Sequence, residues 1–164
     1  ENAGCQRGDM MKAASRPVQS SSGSTEPVES EPYLLLNRQR KHPVNRRELS
    51  GFLGRIVDHL RVGDPFSVVL ISDPVMRGYN NRYRMQDKST DVLSFPGDTG
   101  YLGDVLISTE TAYAQVLRSK SLDLDMNLKR LALHGLLHLL GYDHETDDGE
   151  MRSIERRLRR RFKC

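Results

Sequence analysis

The chain has 164 residues, of which 37% are hydrophobic, and its formal net charge is +3. This length fits a single domain with a real core, and the small charge excludes the strong basic field of a dedicated nucleic-acid binder. No apolar run approaches the ~20 residues of a membrane span. The two cysteines, Cys5 and Cys164, are too few and too far apart to outline a disulfide framework, so we expect a cytoplasmic protein with no membrane segment.

The first stretch of the chain, residues 1–31, is rich in Ser, Gly, Pro and Glu and has no hydrophobic period. Such a composition buries too little apolar surface to offset the entropy of folding. We therefore expect residues 1–31 to be a disordered leader and residues 32–164 to form one domain.

The first elements of that domain alternate between strand and helix. Residues 33–36 predict a strand, and Asn45 followed by Glu48 resembles a capping box. Apolar residues then recur at helical spacing until a stop near residue 63. The apolar, β-branched residues 66–71 predict a second strand.

A short helix is predicted from Asp73 to about residue 83, because proline follows at the first helical position. Residues 90–95 and 101–107 predict two strands joined by a loop of turn formers. Ser108 can cap a helix that runs to about residue 119.

Two further helices complete the predicted fold. Leucines cover most of the circumference of residues 125–140, which is typical of a helix buried in the middle of a domain. The last helix, starting near Asp147, is apolar on one side and carries six arginines on the other, at Arg152, Arg156, Arg157, Arg159, Arg160 and Arg161. The order of elements predicts the α+β class, with a small mixed sheet, a buried central helix and helices around it.

The predicted buried helix and its end carry three of the five histidines, in the string HGLLHLLGYDH. His134 and His138 are four residues apart and share one helical face, at a separation that lets both rings bind one ion. Gly141 offers a left-handed helix stop, after which the chain can bring His144 to the same point. Three histidines with a fourth position open are typical of a catalytic metal site.

A histidine on an apolar helix is more often a hydrogen-bonded core residue than a ligand. Three histidines in a leucine-rich shell would each need hydrogen-bond partners for their ring nitrogens. Every buried nitrogen without a partner would cost about 1–3 kcal/mol. One shared metal ion satisfies a nitrogen of each ring, so we favour the metal interpretation.

The spacing His-x-x-x-His-x-x-Gly-x-x-His matches the ligand pattern of the metzincin metalloproteases, which predicts a zincin-like arrangement. Those proteases carry glutamate directly after the first histidine as the general base. Here that position is Gly135. A metallopeptidase is therefore an alternative function that lacks its proton acceptor.

The complete string resembles the signature of the YbeY family, metal-dependent endoribonucleases of bacterial rRNA maturation. Further blocks match in the family's order: NNRYR at Asn80–Arg84, TDVLSFP at Thr90–Pro96 and GDVLIS at Gly103–Ser108. The resemblance covers about residues 33–162. It implies a four-stranded sheet beside the ligand-bearing helix, and a single-strand-specific endoribonuclease that acts in small-subunit rRNA end processing and in ribosome quality control.

The same resemblance implies the site residues and partners. His134, His138 and His144 would be the metal ligands, with Zn²⁺ as the ion most often described. Arg84 matches the family's functionally important arginine, in a groove that would receive the RNA backbone, and so carries both the catalytic and the substrate-binding role. The implied substrate is RNA, namely rRNA, with the ribosome or small-subunit proteins as candidate partners.

These residues suggest a hydrolysis in which an ion-activated water attacks phosphorus. A divalent ion lowers the pKa of bound water toward about 7, and the guanidinium of Arg84 would stabilise the charge of the transition state. Asp143 could orient a ligand histidine or cap the turn after Gly141, and we leave both roles open. A ribosome assembly factor with a mainly structural metal is a further alternative function.

Two other features of the sequence bear on RNA binding. We interpret the arginine-rich last helix as a solvated face in preference to a phosphate-binding one. Aromatic residues make up 6% of the chain and tryptophan is absent, so no extended base-stacking platform is expected.

The identity of the ion stays open in the sequence. Three imidazole ligands suit zinc, but nickel, copper and iron also accept nitrogen ligands.

Overall fold

The computed structural model describes residues 31–143 and 146–164, which form four strands and five helices. The strands are β1 (Tyr33–Asn37), β2 (Phe66–Ile71), β3 (Val92–Pro96) and β4 (Gly103–Ser108). The helices are α1 (Arg46–Leu60), α2 (Asp73–Arg84), α3 (Thr109–Leu117), α4 (Leu124–Leu139) and α5 (Glu150–Phe162). The predicted leader, residues 1–31, lies outside the described residues except for Glu31.

Side-chain caps fix where several helices begin. The side chain of Asn45 accepts a hydrogen bond from the backbone N–H of Glu48 at 3.1 Å, which confirms the predicted cap of α1. Ser108 does the same for the N–H of Thr111 at the start of α3. The predicted helix ends agree with the structure to within a few residues.

The start of the last helix was predicted too early. The carboxylate of Asp147 accepts hydrogen bonds from the backbone N–H groups of Gly149 at 2.7 Å and Met151 at 2.8 Å. α5 begins only at Glu150. Asp147 therefore satisfies the free N–H groups at the helix start from outside the helix.

The four strands form one mixed sheet in the order β1-β2-β4-β3. β1 and β4 both run parallel to β2, whereas β3 pairs antiparallel to β4 and forms one edge of the sheet. The predicted α+β class with a small mixed sheet is confirmed.

The two faces of the sheet alternate along each strand. The inner face packs against α1 and α4, and its side chains are fully buried at Val68, Leu70, Val105 and Ile107. The outer face meets α2 in a second, smaller apolar cluster, made of Ile71, Met76, Leu93 and Leu106. α4 contacts β3, β4, α1, α3 and α5, as expected of the predicted central helix.

Within the described residues, no helix combines the length and the hydropathy needed to cross a bilayer.

Candidate active site

Two predicted ligand histidines lie together on α4, which begins where Asp123 accepts a hydrogen bond from the N–H of Met126. The Nε2 atoms of His134 and His138 are 3.1 Å apart, and their rings are inclined by 80°. Two nitrogens bound to one tetrahedral ion at about 2.0–2.1 Å would lie about 3.3–3.4 Å apart. The pair therefore fits a shared ion, with both rings half-buried and open to the same space.

The outward nitrogen of one ring is held by a carboxylate. His134 Nδ1 lies 3.4 Å from Oε1 of Glu155 on α5, and Arg159 pairs with the same oxygen at 2.6 Å. Burial alone would raise the pKa of Glu155, but the hydrogen bond with His134 and the charge of Arg159 outweigh it and lower the pKa below its usual value. Glu155 is thus an anion behind His134.

Sequence reasoning missed Glu155. It lies 21 positions after His134 (155 − 134), inside the arginine-rich helix, and no spacing rule connects the two. Only the packing of α5 against α4 brings them together.

α4 ends in the turn that the sequence predicts. Gly141 has φ +91°, its N–H bonds to the carbonyl of His138, and the N–H of Tyr142 bonds to the carbonyl of Leu137. This pair of bonds is a Schellman motif, which reverses the chain after the helix.

The third predicted ligand, His144, lies outside the described residues. Among residues 31–143 and 146–164, no three His, Cys, Asp or Glu side chains converge as ion ligands. Asp143 lies on the wall of the cavity next to the two α4 histidines, and its carboxylate accepts a hydrogen bond from the Thr146 hydroxyl at 3.3 Å. Both roles considered for Asp143 stay open.

The histidine pair opens into a cavity of about 500 Å³, the histidine cavity. Its wall is made by the end of α2, the strand β3, α4 and the turn after α4, through Arg84, Thr90, Asp91, Val92, Ser94, Pro96, His134, His138, Gly141, Tyr142 and Asp143. Arg84 is the last residue of α2 and is exposed. The structure therefore brings Arg84, His134 and His138 to one cavity.

The position after the first histidine has no room for a side chain. A Cβ atom on Gly135 would lie 2.4 Å from Cγ1 of Val105 and 3.1 Å from the Ser94 hydroxyl. The Ser94 hydroxyl also donates to the Gly135 carbonyl at 3.1 Å. α4 thus packs directly on the sheet here, and the glutamate base of a metzincin could not be accommodated without moving β4.

Asp91 lines the histidine cavity but has partners of its own, and two of the other histidines pack against aromatic rings elsewhere. Asp91 accepts from the N–H of Val92 and from the Gln115 amide. His42 stacks with Tyr113, and His59 meets Phe162 edge-on.

A second basic surface lies between α4 and α5. It is a cavity of about 770 Å³ lined by Arg130, Arg152, Glu155, Arg156, Arg159, Arg160, Lys163 and Cys164. Of the six arginines of the last helix, all but Arg159 are exposed, in line with the predicted solvated face.

Comparison with known proteins identifies what this arrangement resembles. A family model described as Endoribonuclease YbeY matches residues 35–163. The Endoribonuclease YbeY of Koribacter versatilis is 41% identical over 133 residues, which is 79% of this chain and 86% of the relative. That of Solibacter usitatus is 38% identical over 122 residues, or 74% and 82% of the two chains. The solution structure of TM1509 from Thermotoga maritima matches the fold with a TM-score of 0.60 at 24% identity, over 79% of this chain and 88% of the other.

Proposed function

The chain belongs to the YbeY family of endoribonucleases and is a hydrolase of the nuclease class, and we propose that it is a metal-dependent enzyme that cleaves single-stranded RNA. Its proposed role is the end processing of small-subunit rRNA, together with ribosome quality control, in the cytoplasm. The observation that carries the metal dependence is the 3.1 Å approach of the His134 and His138 Nε2 atoms on the wall of a cavity that Arg84 shares.

The ion would be held by His134, His138 and His144, with zinc as the first choice for three neutral imidazoles. When bound, such an ion supplies a Lewis acid for a phosphoryl oxygen and lowers the pKa of water. The chain reaches the cavity wall at Asp143, one residue before His144, which supports the third ligand.

Glu155 fixes the first ligand. A carboxylate that accepts from Nδ1 keeps the proton on that nitrogen and leaves Nε2 of His134 free of a proton, as a ligand must be. The anionic state of Glu155, favoured by Arg159, suits this role.

Arg84 would bind the phosphate. Within the described part of the chain, no carboxylate lies within ion-pair distance of its guanidinium. A guanidinium can donate to two phosphate oxygens at once and stabilises the charge that develops as the phosphorus–oxygen bond breaks. We therefore assign Arg84 to substrate binding and transition-state stabilisation.

Peptide hydrolysis by the same ligands is disfavoured on steric grounds. The position of the metzincin base is occupied by Gly135, whose hydrogen atoms already face Val105. An assembly factor whose metal is mainly structural would not need an exposed arginine, Arg84, in the same cavity as the histidines.

Cleavage of labelled single-stranded RNA by the zinc-loaded protein tests the proposal. We expect His138→Ala to lower the rate by more than about 100-fold. Changing a hydrogen-bond partner of a metal ligand costs about 10–100-fold, and loss of the ligand itself should cost more. His59→Ala, which removes an exposed histidine on α1, is the matched control and should cleave like the wild type. Arg84→Ala should lower the rate while zinc binding stays unchanged.

Three results would contradict it. Equal cleavage by His138→Ala would exclude the metal site, and hydrolysis of casein but not RNA would favour the peptidase. Normal small-subunit rRNA ends in cells that carry only His138→Ala, with ribosome association retained, would favour the assembly factor.

A further inference from the structure

A second concave surface lies on the outer face of the sheet, on the opposite side of β3 from the histidine cavity. This outer groove has a volume of about 600 Å³ and runs between α2 and the outer-face side chains of β1, β2 and β4. Its floor is apolar, with Val69, Ile71 and Leu106, and its polar lining includes Tyr101 and Asp104, the cross-strand partner of Phe95. Leu34 and Val75 on its rim are 55% and 46% exposed.

Three aromatic rings gather at the end of the outer groove that adjoins α2. Tyr79 and Tyr83 are four residues apart on that helix, and their rings are nearly parallel, 6.2 Å apart at an angle of 13°. Phe95 of β3 meets Tyr83 at 4.9 Å and Tyr79 at 6.1 Å. Tyr83 is 55% exposed and Tyr79 39%. We name these three residues the aromatic shelf; the low aromatic content of the chain had argued against a stacking platform.

The aromatic shelf adjoins the histidine cavity across the end of α2 and across β3. Tyr83 lines the outer groove and the next residue, Arg84, lines the histidine cavity. Along β3, Phe95 faces the outer groove, whereas its neighbours Ser94 and Pro96 line the histidine cavity. One strand edge and one helix end thus separate the two surfaces.

Positive charge accompanies the aromatic rings. The Arg82 guanidinium lies 5.6 Å from the centre of the Tyr83 ring, and Arg38 lines the outer groove. Among the described residues, no carboxylate is within ion-pair distance of Arg82 or Arg84. Unneutralised cations next to exposed tyrosines match single-stranded nucleic acid, in which phosphates alternate with flat bases. A purely apolar protein partner would not use the cations.

We propose that the aromatic shelf binds bases of the RNA strand whose phosphate lies at Arg84. This inference rests on the proposed ribonuclease function and adds to it a base-binding subsite on the far side of β3. Stacking on a ring face is tolerant of base identity, and it requires unpaired bases. The subsite therefore gives a physical reason for a preference for single-stranded RNA without sequence readout.

A fluorescence titration tests this directly, since the chain contains no tryptophan. Tyr83→Trp introduces a single reporter on the aromatic shelf, and its emission should be quenched by a 2′-O-methyl oligoadenylate, with gel electrophoresis after the titration to establish that the strand is intact. The same strand without bases should not quench it. Tyr113→Trp on α3, where Tyr113 is 38% exposed, is the matched control and should not respond.

Affinity measurements with the zinc-loaded protein supply the second arm. Tyr83→Ala should weaken binding of the oligoadenylate by at least about fivefold, the lower limit for loss of one stacked base. Tyr83→Phe should bind within about twofold of wild type, since it keeps the ring. Tyr113→Ala should bind like wild type, and thermal melting establishes that each variant is folded.

The outcomes separate this inference from the proposed function. If wild type cleaves RNA and Tyr83→Ala binds the oligoadenylate equally well, the base-binding subsite is wrong and the ribonuclease stands. If Tyr83→Ala weakens binding but wild type cleaves no RNA, the subsite stands and the ribonuclease proposal fails. Absence of binding by wild type overturns the subsite, as would a dimer that Tyr83→Ala converts to monomer, because the groove would then bind a second copy.

Discussion

The inner face of the sheet is covered by several helices, whereas the outer face is covered only in part. On the inner face, α1 and α4 bury the side chains of β2 and β4, α5 packs on α4, and the same packing fixes the two α4 histidines. On the outer face, α2 alone covers part of the sheet, and the rest remains an open groove. The comparison suggests a division of labour in which the inner face provides rigidity for the catalytic groups and the outer face provides surface for substrate.

β3 is where the two faces meet. Its side chains alternate between the histidine cavity, through Val92, Ser94 and Pro96, and the outer cluster, through Leu93 and Phe95. A strand is narrow enough for one substrate to contact both of its faces. The predictions below test how far this difference between the two faces holds.

The largest effect on stability is expected from truncation on the inner face. Leu136 of α4 is fully buried, so Leu136→Ala should lower the free energy of unfolding by about 2–5 kcal/mol. Leu34→Ala on the outer face, at a side chain that is 55% exposed, should change it by less than about 0.5 kcal/mol. Urea unfolding of the two variants measures both values. Similar losses would mean that the outer face is covered in solution.

Two helical glycines should respond in opposite directions. Gly135→Ala places a methyl group 2.4 Å from Val105 and should destabilise the protein by about 1–3 kcal/mol. Gly78→Ala on α2 meets nothing within 4 Å and should stabilise it by about 0.5–1 kcal/mol.

A second substitution identifies the cause of the Gly135→Ala effect. Val105→Ala removes the clashing methyl groups, so the double variant should be more stable than the sum of the single changes implies. RNA cleavage should follow the same order, because the clash displaces the histidines of α4. Additive losses would show that Val105 is not the obstacle.

The contact between Glu155 and His134 gives the next effect. Glu155→Gln should weaken zinc binding by about 10–100-fold, as is usual when the partner of a ligand histidine is changed. Competition with a chromophoric chelator measures the affinity. Glu150→Gln, an exposed position on the same helix, should leave zinc affinity unchanged. Equal affinities for the two variants would remove Glu155 from the site.

Local features of the sequence predicted much of this molecule. The cap at Asn45, the helical period of α4 and the glycine stop at Gly141 depend on residues within one or two turns of each other, so the sequence contains them. The approach of His134 and His138 follows from the geometry of one helix for the same reason.

The remaining features depend on contacts between elements distant in the chain. Glu155 reaches His134 because α5 packs on α4, and no periodicity encodes that docking. The aromatic shelf combines Tyr83 of α2 with Phe95 of β3, which scattered aromatic residues do not reveal. The obstruction at Gly135 also required the position of β4, since the sequence established only that glutamate is absent.

The last effect concerns how α2 is fastened to the outer side of the sheet. Its first residue, Asp73, accepts hydrogen bonds from the hydroxyls of Ser89 at 2.7 Å, Thr111 at 2.7 Å and Ser108. Burial alone would raise the pKa of Asp73, but these hydroxyls outweigh it and lower the pKa below its usual value. The helices on the inner face are held by apolar contacts, whereas α2 on the outer face is also held by the charged side chain of Asp73.

Stability should therefore depend on pH through Asp73. Because its pKa is lower in the folded chain than in the unfolded one, the stabilisation is present above the usual carboxyl pKa of about 4 and is lost as pH falls through the folded-state value. At neutral pH, Asp73→Asn should lower the free energy of unfolding by about 1–2 kcal/mol. Under acid the wild type should approach the variant, whereas the loss caused by Leu136→Ala should persist. A difference between wild type and Asp73→Asn that is the same at both pH values would show that charge is not what holds α2 in place.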